Sequence, residues 1–315
     1  MPEMNEPAGN TDKQGTNSLF HAFLLCVAAL IWGSAFVAQS VGSRHVGPFT
    51  FLAARNWIAL VVLVPVLAIR EHAGPHGERL PASRRRSAAK AAGGIICGTA
   101  LFLGSSTQQA GIAYTTTAKA GFITTLYVII VPILAMIVGK MPDRKIWSCV
   151  LLGVIGLYLL CMKPGEGGLN RGDMILLACS FLFSIQIMAV DYFIQFVDGV
   201  QLAVMQTAVT AVLGTVSMIL FEHPAAADLK EALPSILYAG LLSSAIGFTL
   251  QIIAQTRLEP TVASLILCLE SVFSALSGWI LLGETLNIRE LAGCALMFGA
   301  IVWSQIPSHE KKMCT

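Results

Sequence analysis

From residue 20 onward, long apolar runs alternate with short polar breaks. The runs cover 20–40, 49–69, 91–112, 118–139, 146–162, 173–193, 200–221, 234–256, 261–283 and 286–304. Each is 17 to 23 residues long, the length an α-helix needs to cross a hydrocarbon core of roughly 30 Å. Backbone groups in lipid must pair internally, and the alternating pattern of a membrane β-barrel is absent from the sequence. The pattern therefore predicts an all-α integral membrane protein with ten transmembrane helices in a lipid bilayer. Most breaks are short, so successive helices pack antiparallel. The one sizeable hydrophilic loop runs from Arg70 to Lys90.

Composition agrees with the pattern. Hydrophobic residues make up 55% and charged residues 12% of 315, against roughly 25% charged in a soluble domain. Residues 1–19 lack the basic start and small-residue cleavage site of a signal peptide, so the first run is expected to be retained. The basic residues sit in short loops beside apolar runs and read as topology signals, with no nucleic-acid partner. Thirteen of them fall on one side: Lys13, Arg70, Arg79, Arg84, Arg85, Arg86, Lys90, Lys140, Arg144, Lys145, Arg257, Lys311 and Lys312. Six fall on the other: Arg44, Lys119, Lys163, Arg171, Lys230 and Arg289. Both termini are thus assigned to the cytoplasm, with 1–19 and 305–315 as cytoplasmic tails. Short loops and no signal peptide suggest a bacterial cytoplasmic membrane. None of the eight cysteines forms a CxxC pair and seven lie in apolar stretches, so no disulfide framework, metal or cofactor is expected.

The two halves align with each other. Gln39 falls on Asp191 and Arg55 on Gln206, at offsets of 152 and 151. Beyond the long basic loop, Gly98, Thr107 and Gln109 fall on Gly240, Thr249 and Gln251 at 142, then Pro132 on Ser271 at 139 and Gly153 on Gly293 at 140. The offset changes where loops differ in length, as a duplicated unit requires. A five-helix unit crosses the membrane an odd number of times, so the second copy enters upside down. Residues 20–162 and 173–304 are therefore expected to be two inverted five-helix repeats, an arrangement that lets one central site face each side alternately.

The stretches IWGSAFVAQS (31–40), FLAARNWIAL with Arg55, and QQAGIAYTTTAKAGFITTLYVIIVPILA (108–135) resemble the first repeat of the drug/metabolite transporter superfamily, EamA-domain type. LQIIAQ (250–255), PTVASLILCLESVFSALSGWILLGE (260–284) and the glycine-spaced helix around Gly293 resemble the second. The resemblance implies ten helices around a central cavity, with the fifth and tenth peripheral. It also implies transport of a small-molecule substrate, often an amino acid or related solute, and often export. Ser271 stands where the resemblance would place a proline, so the ninth helix has no proline to break or kink it.

Polar groups at membrane depth cost about 2.5 to 3.5 kcal/mol per charge at mid-helix, so they should face a cavity or one another. Glu270, near the middle of its span, reads as a proton or cationic-substrate site, because burial penalises the charged carboxylate. Arg55 could hold a substrate carboxylate with its planar fork or neutralise an acidic neighbour. Ser244, Phe248, Gln251 and Gln255 share one helical face, as do Ser180, Ser184 and Asp191, while Ser105 lies one turn from Gln108 and Gln109. Such faces suit a hydrogen-bonded solute, though Ser, Thr and Gln also join helices directly. Trp32, next to Gly33, is a candidate wall residue. The other tryptophans read as interfacial anchors.

Hydropathy alone also fits a passive channel or a membrane sensor, and the inverted repeat is what favours a carrier. An intramembrane enzyme is disfavoured: only His21 of six histidines lies in an apolar span, and HExxH and P-loop patterns are missing.

Overall fold

The computed structural model describes residues 9–73, 84–115, 117–162, 170–282 and 287–306. Of the tails expected at either end, 1–8 and 307–315 lie outside these residues, as do Arg79, Lys163, Lys311 and Lys312 of the topology count and the side chains of Lys13, Arg84, Arg85, Arg86 and Lys119.

No strand occurs among the described residues, and the ten apolar runs form ten helical rods. The first three are α1 (Gly9–Gly42), α2 (Pro48–Ala73) and α3 (Arg84–Ile112). The fourth is broken into α4 (Thr117–Thr124) and α5 (Tyr127–Ile137). Then come α6 (Arg144–Cys161), α7 (Arg171–Phe193) and α8 (Gly199–Phe221). The eighth rod joins α9 (Ala226–Tyr238), a π-helical stretch at Ala239–Gly247 and α10 (Phe248–Gln255). The ninth is α11 (Pro260–Leu267) and α12 (Leu269–Leu282), and the tenth is α13 (Ile288–Gln305). Among the described residues, nine rods are long and apolar enough to cross a membrane by length and hydropathy. α13 is more polar, with Arg289 and Glu290 in its first turn and Ser304 and Gln305 at its end.

Polar breaks become helix starts. Asn170 and Asp173 form a reciprocal capping box on α7, at 2.9 and 2.8 Å, and Asn287 with Glu290 does the same on α13. Asp198 accepts from the backbone N–H groups of Val200 and Gln201 at the start of α8. Pro48 and Pro260 open α2 and α11, where no N–H is needed.

The breaks inside rods have local causes too. The fourth rod breaks at Thr125–Leu126, ahead of Pro132, where the Thr125 hydroxyl donates back to the Gly121 carbonyl at 2.7 Å. The ninth rod breaks at Cys268 although it lacks a proline there. Ser264 and Cys268 each donate to the carbonyl three residues back, both at 2.9 Å, which loosens the i→i−4 ladder.

Helix pairs tie the two ends of the chain into one body. A single apolar core draws on both, with Leu25, Leu101, Val128, Leu157, Leu265 and Val272 among its members. α2 and α8 run antiparallel. Near one end Arg70 pairs with Asp198 at 3.0 Å and Gln201 donates to Glu71 at 3.0 Å. Midway, Trp57 Nε1 donates to Thr215 Oγ1 at 2.9 Å. At the far end the Glu222 carboxylate accepts from the N–H of Phe49 and from the N–H and hydroxyl of Thr50, at 3.0, 2.8 and 2.6 Å. α6 and α13 cross where a Cβ on Gly156 would lie 2.7 Å from the Gly293 carbonyl and one on Gly293 2.5 Å from that of Gly156, so only glycine allows this approach. Outward-facing positions such as Val61, Ile137, Phe221 and Ile280 are each more than two-thirds exposed, an apolar exterior suited to lipid.

Candidate transport site

At mid-depth the rods enclose a cavity of about 490 Å³ of empty volume, its mouth included. Two charges stand on its wall. Arg55, from α2, is 3% exposed, its Nε has no hydrogen-bond partner, and it makes no ion pair among the described residues. Glu270 is 5% exposed and accepts one long hydrogen bond, from the Tyr127 hydroxyl at 3.5 Å. The break at Cys268 places Glu270 in the first turn of α12, where the helix dipole favours a carboxylate. The two charges share one cavity but do not pair with each other.

The α1 backbone lies directly on α12 here: a Cβ on Gly33 would sit 2.6 Å from the Glu270 carbonyl. That approach seats the neighbouring Trp32 against the π-helical stretch. Its Nε1 donates to the Ser243 carbonyl at 3.2 Å, and its ring lies 4.8 Å from that of Phe248, tilted by 51°. Gly247 makes the room, since a Cβ there would meet Trp32 Nε1 at 2.4 Å.

Amides line another part of the wall. Gln251 donates to Gln186 at 3.1 Å and Gln186 to Gln206 at 3.3 Å. Gln186 and Gln251 face the cavity, as do Gln39, Gln108 and Ser105.

Of the residues singled out from sequence, Trp32, Arg55, Ser105, Gln108, Phe248, Gln251 and Glu270 thus meet on one cavity. The other six lie off its wall. Gln109 donates to the Gln39 carbonyl at 3.1 Å, and Gln255 to that of Ile187 at 3.0 Å. Ser184 donates to the Ser180 carbonyl at 2.7 Å. Asp191 forms an ion pair with Lys140 near the end of α7. Ser244 is buried, and Ser243 takes the wall position. A π turn spans five residues rather than four, so the residue one turn before Phe248 is Ser243.

Sequence reasoning passed over Thr124, Tyr127, Phe183, Gln186, Ile187 and Leu267, and used Gln39 only to align the halves. On α7 the cavity-facing residues are Phe183, Gln186 and Ile187; Ile187 lies beside the serine face, and Gln186 more than a third of a turn round from it. The signal was available: Gln186 is the one amide side chain in α7.

Membrane-length helices around a charged internal cavity define a multi-pass membrane protein. The family model of the EamA-like transporter family matches this chain twice, at residues 19–162 and 170–305, and the chain belongs to that family as a membrane transporter. An uncharacterized transporter of Archaeoglobus fulgidus is 28% identical over 290 residues, covering 92% of this chain and 87% of that protein. The uncharacterized transporter YoaV of Bacillus subtilis is 22% identical over 293 residues, covering 90% and 96%. A protein of known crystal structure shares the fold, with a TM-score of 0.74 at 19% identity over 94% of this chain and 99% of its own.

Proposed function

We propose that this chain is a secondary transporter of small zwitterionic metabolites, amino acids or related solutes, that exports them from the cytoplasm by alternating access. The observation that carries this is the pair of buried, mutually unpaired charges, Arg55 and Glu270, on one cavity at membrane depth. Each is costly there without a partner. A zwitterion satisfies both at once, its carboxylate on the guanidinium fork and its ammonium on Glu270. Glu270 is also the group through which a proton can be coupled to solute movement.

The alternating-access reading rests on five-helix halves at 20–162 and 173–304, inverted with respect to each other. Three observations support it. α2 and α8 are the second helices of the two family matches and run antiparallel. Both halves have a broken fourth rod, α4–α5 and α11–α12. Gly98 packs on the Gln206 carbonyl and Val209, while Gly240 packs on the Arg55 carbonyl and Ile58, the same contact carried from one half to the other by the offsets 142 and 151. The distribution of Lys and Arg supports both termini being inside, and the short loops support placement in the cytoplasmic membrane.

Counterflow in proteoliposomes is the test. Vesicles preloaded with an unlabelled amino acid should take up the labelled one transiently and saturably. Flux that is linear with concentration and shows no counterflow would make the protein a channel.

A further inference from the structure

Buried hydroxyls in this bundle usually satisfy themselves on their own helix. Ser106 donates to the Phe102 carbonyl at 2.7 Å, Thr125 to Gly121 at 2.7 Å and Thr210 to Gln206 at 2.8 Å, the back-bonding expected of Ser and Thr in helices. Ser105, Thr124, Thr207 and Ser244 depart from this habit, their hydroxyls having no hydrogen-bond partner among the described residues. Of these, Ser105, 1% exposed, and Thr124 stand on the cavity wall. Two amides on the same wall share the condition: Gln39 Oε1 and Gln251 Oε1 are unpartnered on residues 4% and 1% exposed.

The atoms of Gln39, Ser105 and Gln251 come from α1, α3 and α10, so no single helix explains them. What sets them apart from Gln109, Gln206, Thr207, Ser244 and Gln255, which also hold unpartnered buried atoms, is their place on the cavity wall. An occupant that displaces water from such a wall must replace its hydrogen bonds or leave buried polar atoms unpaired. Turning either amide exchanges an acceptor for a donor and leaves the requirement in place.

We infer that Gln39, Ser105 and Gln251 form a side-chain subsite that makes this transporter select zwitterions bearing a hydroxyl or amide over aliphatic zwitterions of the same shape. The inference rests on the reading that Arg55 and Glu270 hold the two charged ends. Phe183 and Phe248, also on the wall, supply the apolar surface along which the rest of the side chain lies.

Matched solute pairs test it in proteoliposomes: threonine against valine, and asparagine against leucine, each pair alike in size and differing in the polar group. Threonine and asparagine are expected to drive counterflow at least tenfold better than their partners, since a site built to bond a substrate hydroxyl or amide discriminates far more strongly than one that senses a methylene. Gln251→Leu should reduce that preference to less than threefold by raising the KM of the polar solutes alone. Ser105→Ala, which removes a single atom, gives the same readout for threonine should Gln251→Leu fail to fold. Valine and leucine carried as well as threonine and asparagine overturn the subsite and leave the zwitterion reading standing. Counterflow with none of the four overturns the zwitterion reading, and the subsite with it.

Discussion

Replacing Arg55 by methionine separates a transport role from a structural one, because the two give opposite signs in stability. A guanidinium at membrane depth costs about 2.5 to 3.5 kcal/mol on insertion scales. In this protein no described carboxylate offsets that cost, and Arg55 is almost fully buried. Methionine has a similar length, no charge and flexible packing, so it fills the same space. The packing of α2 on the π-helical stretch involves the Arg55 carbonyl rather than its side chain, and the change leaves it in place. Where water reaches the cavity part of the cost is lifted, so a gain of about 2 kcal/mol in folded stability is expected. Unfolding in mixed micelles measures it, and counterflow on the same sample should show that amino-acid transport is lost. A second readout is independent of flux: saturating solute should stabilise the parent protein by RT ln(1 + [L]/Kd), about 2.7 kcal/mol at a hundredfold excess over Kd, and leave Arg55→Met unmoved. A methionine variant that is less stable and still transports would show that Arg55 is a structural counter-charge and defeat the argument.

Two further perturbations probe the same architecture. Glu270→Gln keeps shape but removes titration and the charge that holds the ammonium, so solute exchange should persist only at a raised KM while accumulation driven by a pH gradient disappears. An unchanged pH-gradient response would remove Glu270 from coupling, and a collapse in folded yield would assign it a structural partner. Gly98→Ala and Gly240→Ala each push a methyl group to within 2.6 to 2.9 Å of backbone and side-chain atoms, an overpacking expected to cost about 1–3 kcal/mol. Because the two glycines occupy equivalent contacts, their losses measured by thermal unfolding should agree to within about 1 kcal/mol, and one silent variant beside one damaging variant would break the equivalence.

The rods were legible in the sequence because lipid imposes a length on every apolar run, and helix starts were legible because Asn170, Asp198 and Asn287 bring their own caps. Irregularities within rods were not. Pro132 drew attention to the fourth rod, yet its break falls earlier, where Gly121 and Thr125 weaken the ladder. Ser271 suggested a ninth rod without a break, yet Ser264 and Cys268 interrupt it. The π-helical stretch has no residue signature in AGLLSSAIG, and it exchanges Ser243 for Ser244 on the wall. Charges were the most readable part of the site, because burying Arg55 and Glu270 in a membrane span demands a reason. Asp191 has the same chemistry, but it lies close enough to the end of α7 for Lys140 from another rod to reach it, and a lone span cannot reveal such a partner. Neutral wall residues such as Phe183 and Leu267 look like any apolar core position until neighbouring helices are in place.

The fastening of α2 to α8 at both ends and at mid-height decides where this molecule can flex. One helix comes from the stretch 19–162 and the other from 170–305, yet Asp198, Thr215 and Glu222 grip α2 along its whole length, resisting sliding and splaying alike. Were the cavity to change its exposure as proposed above, the seam would therefore not follow the border between the two duplicated stretches. It would cut across that border, carrying α2 and α8 as one piece and concentrating the bending at the interrupted rods beside Thr125 and Cys268.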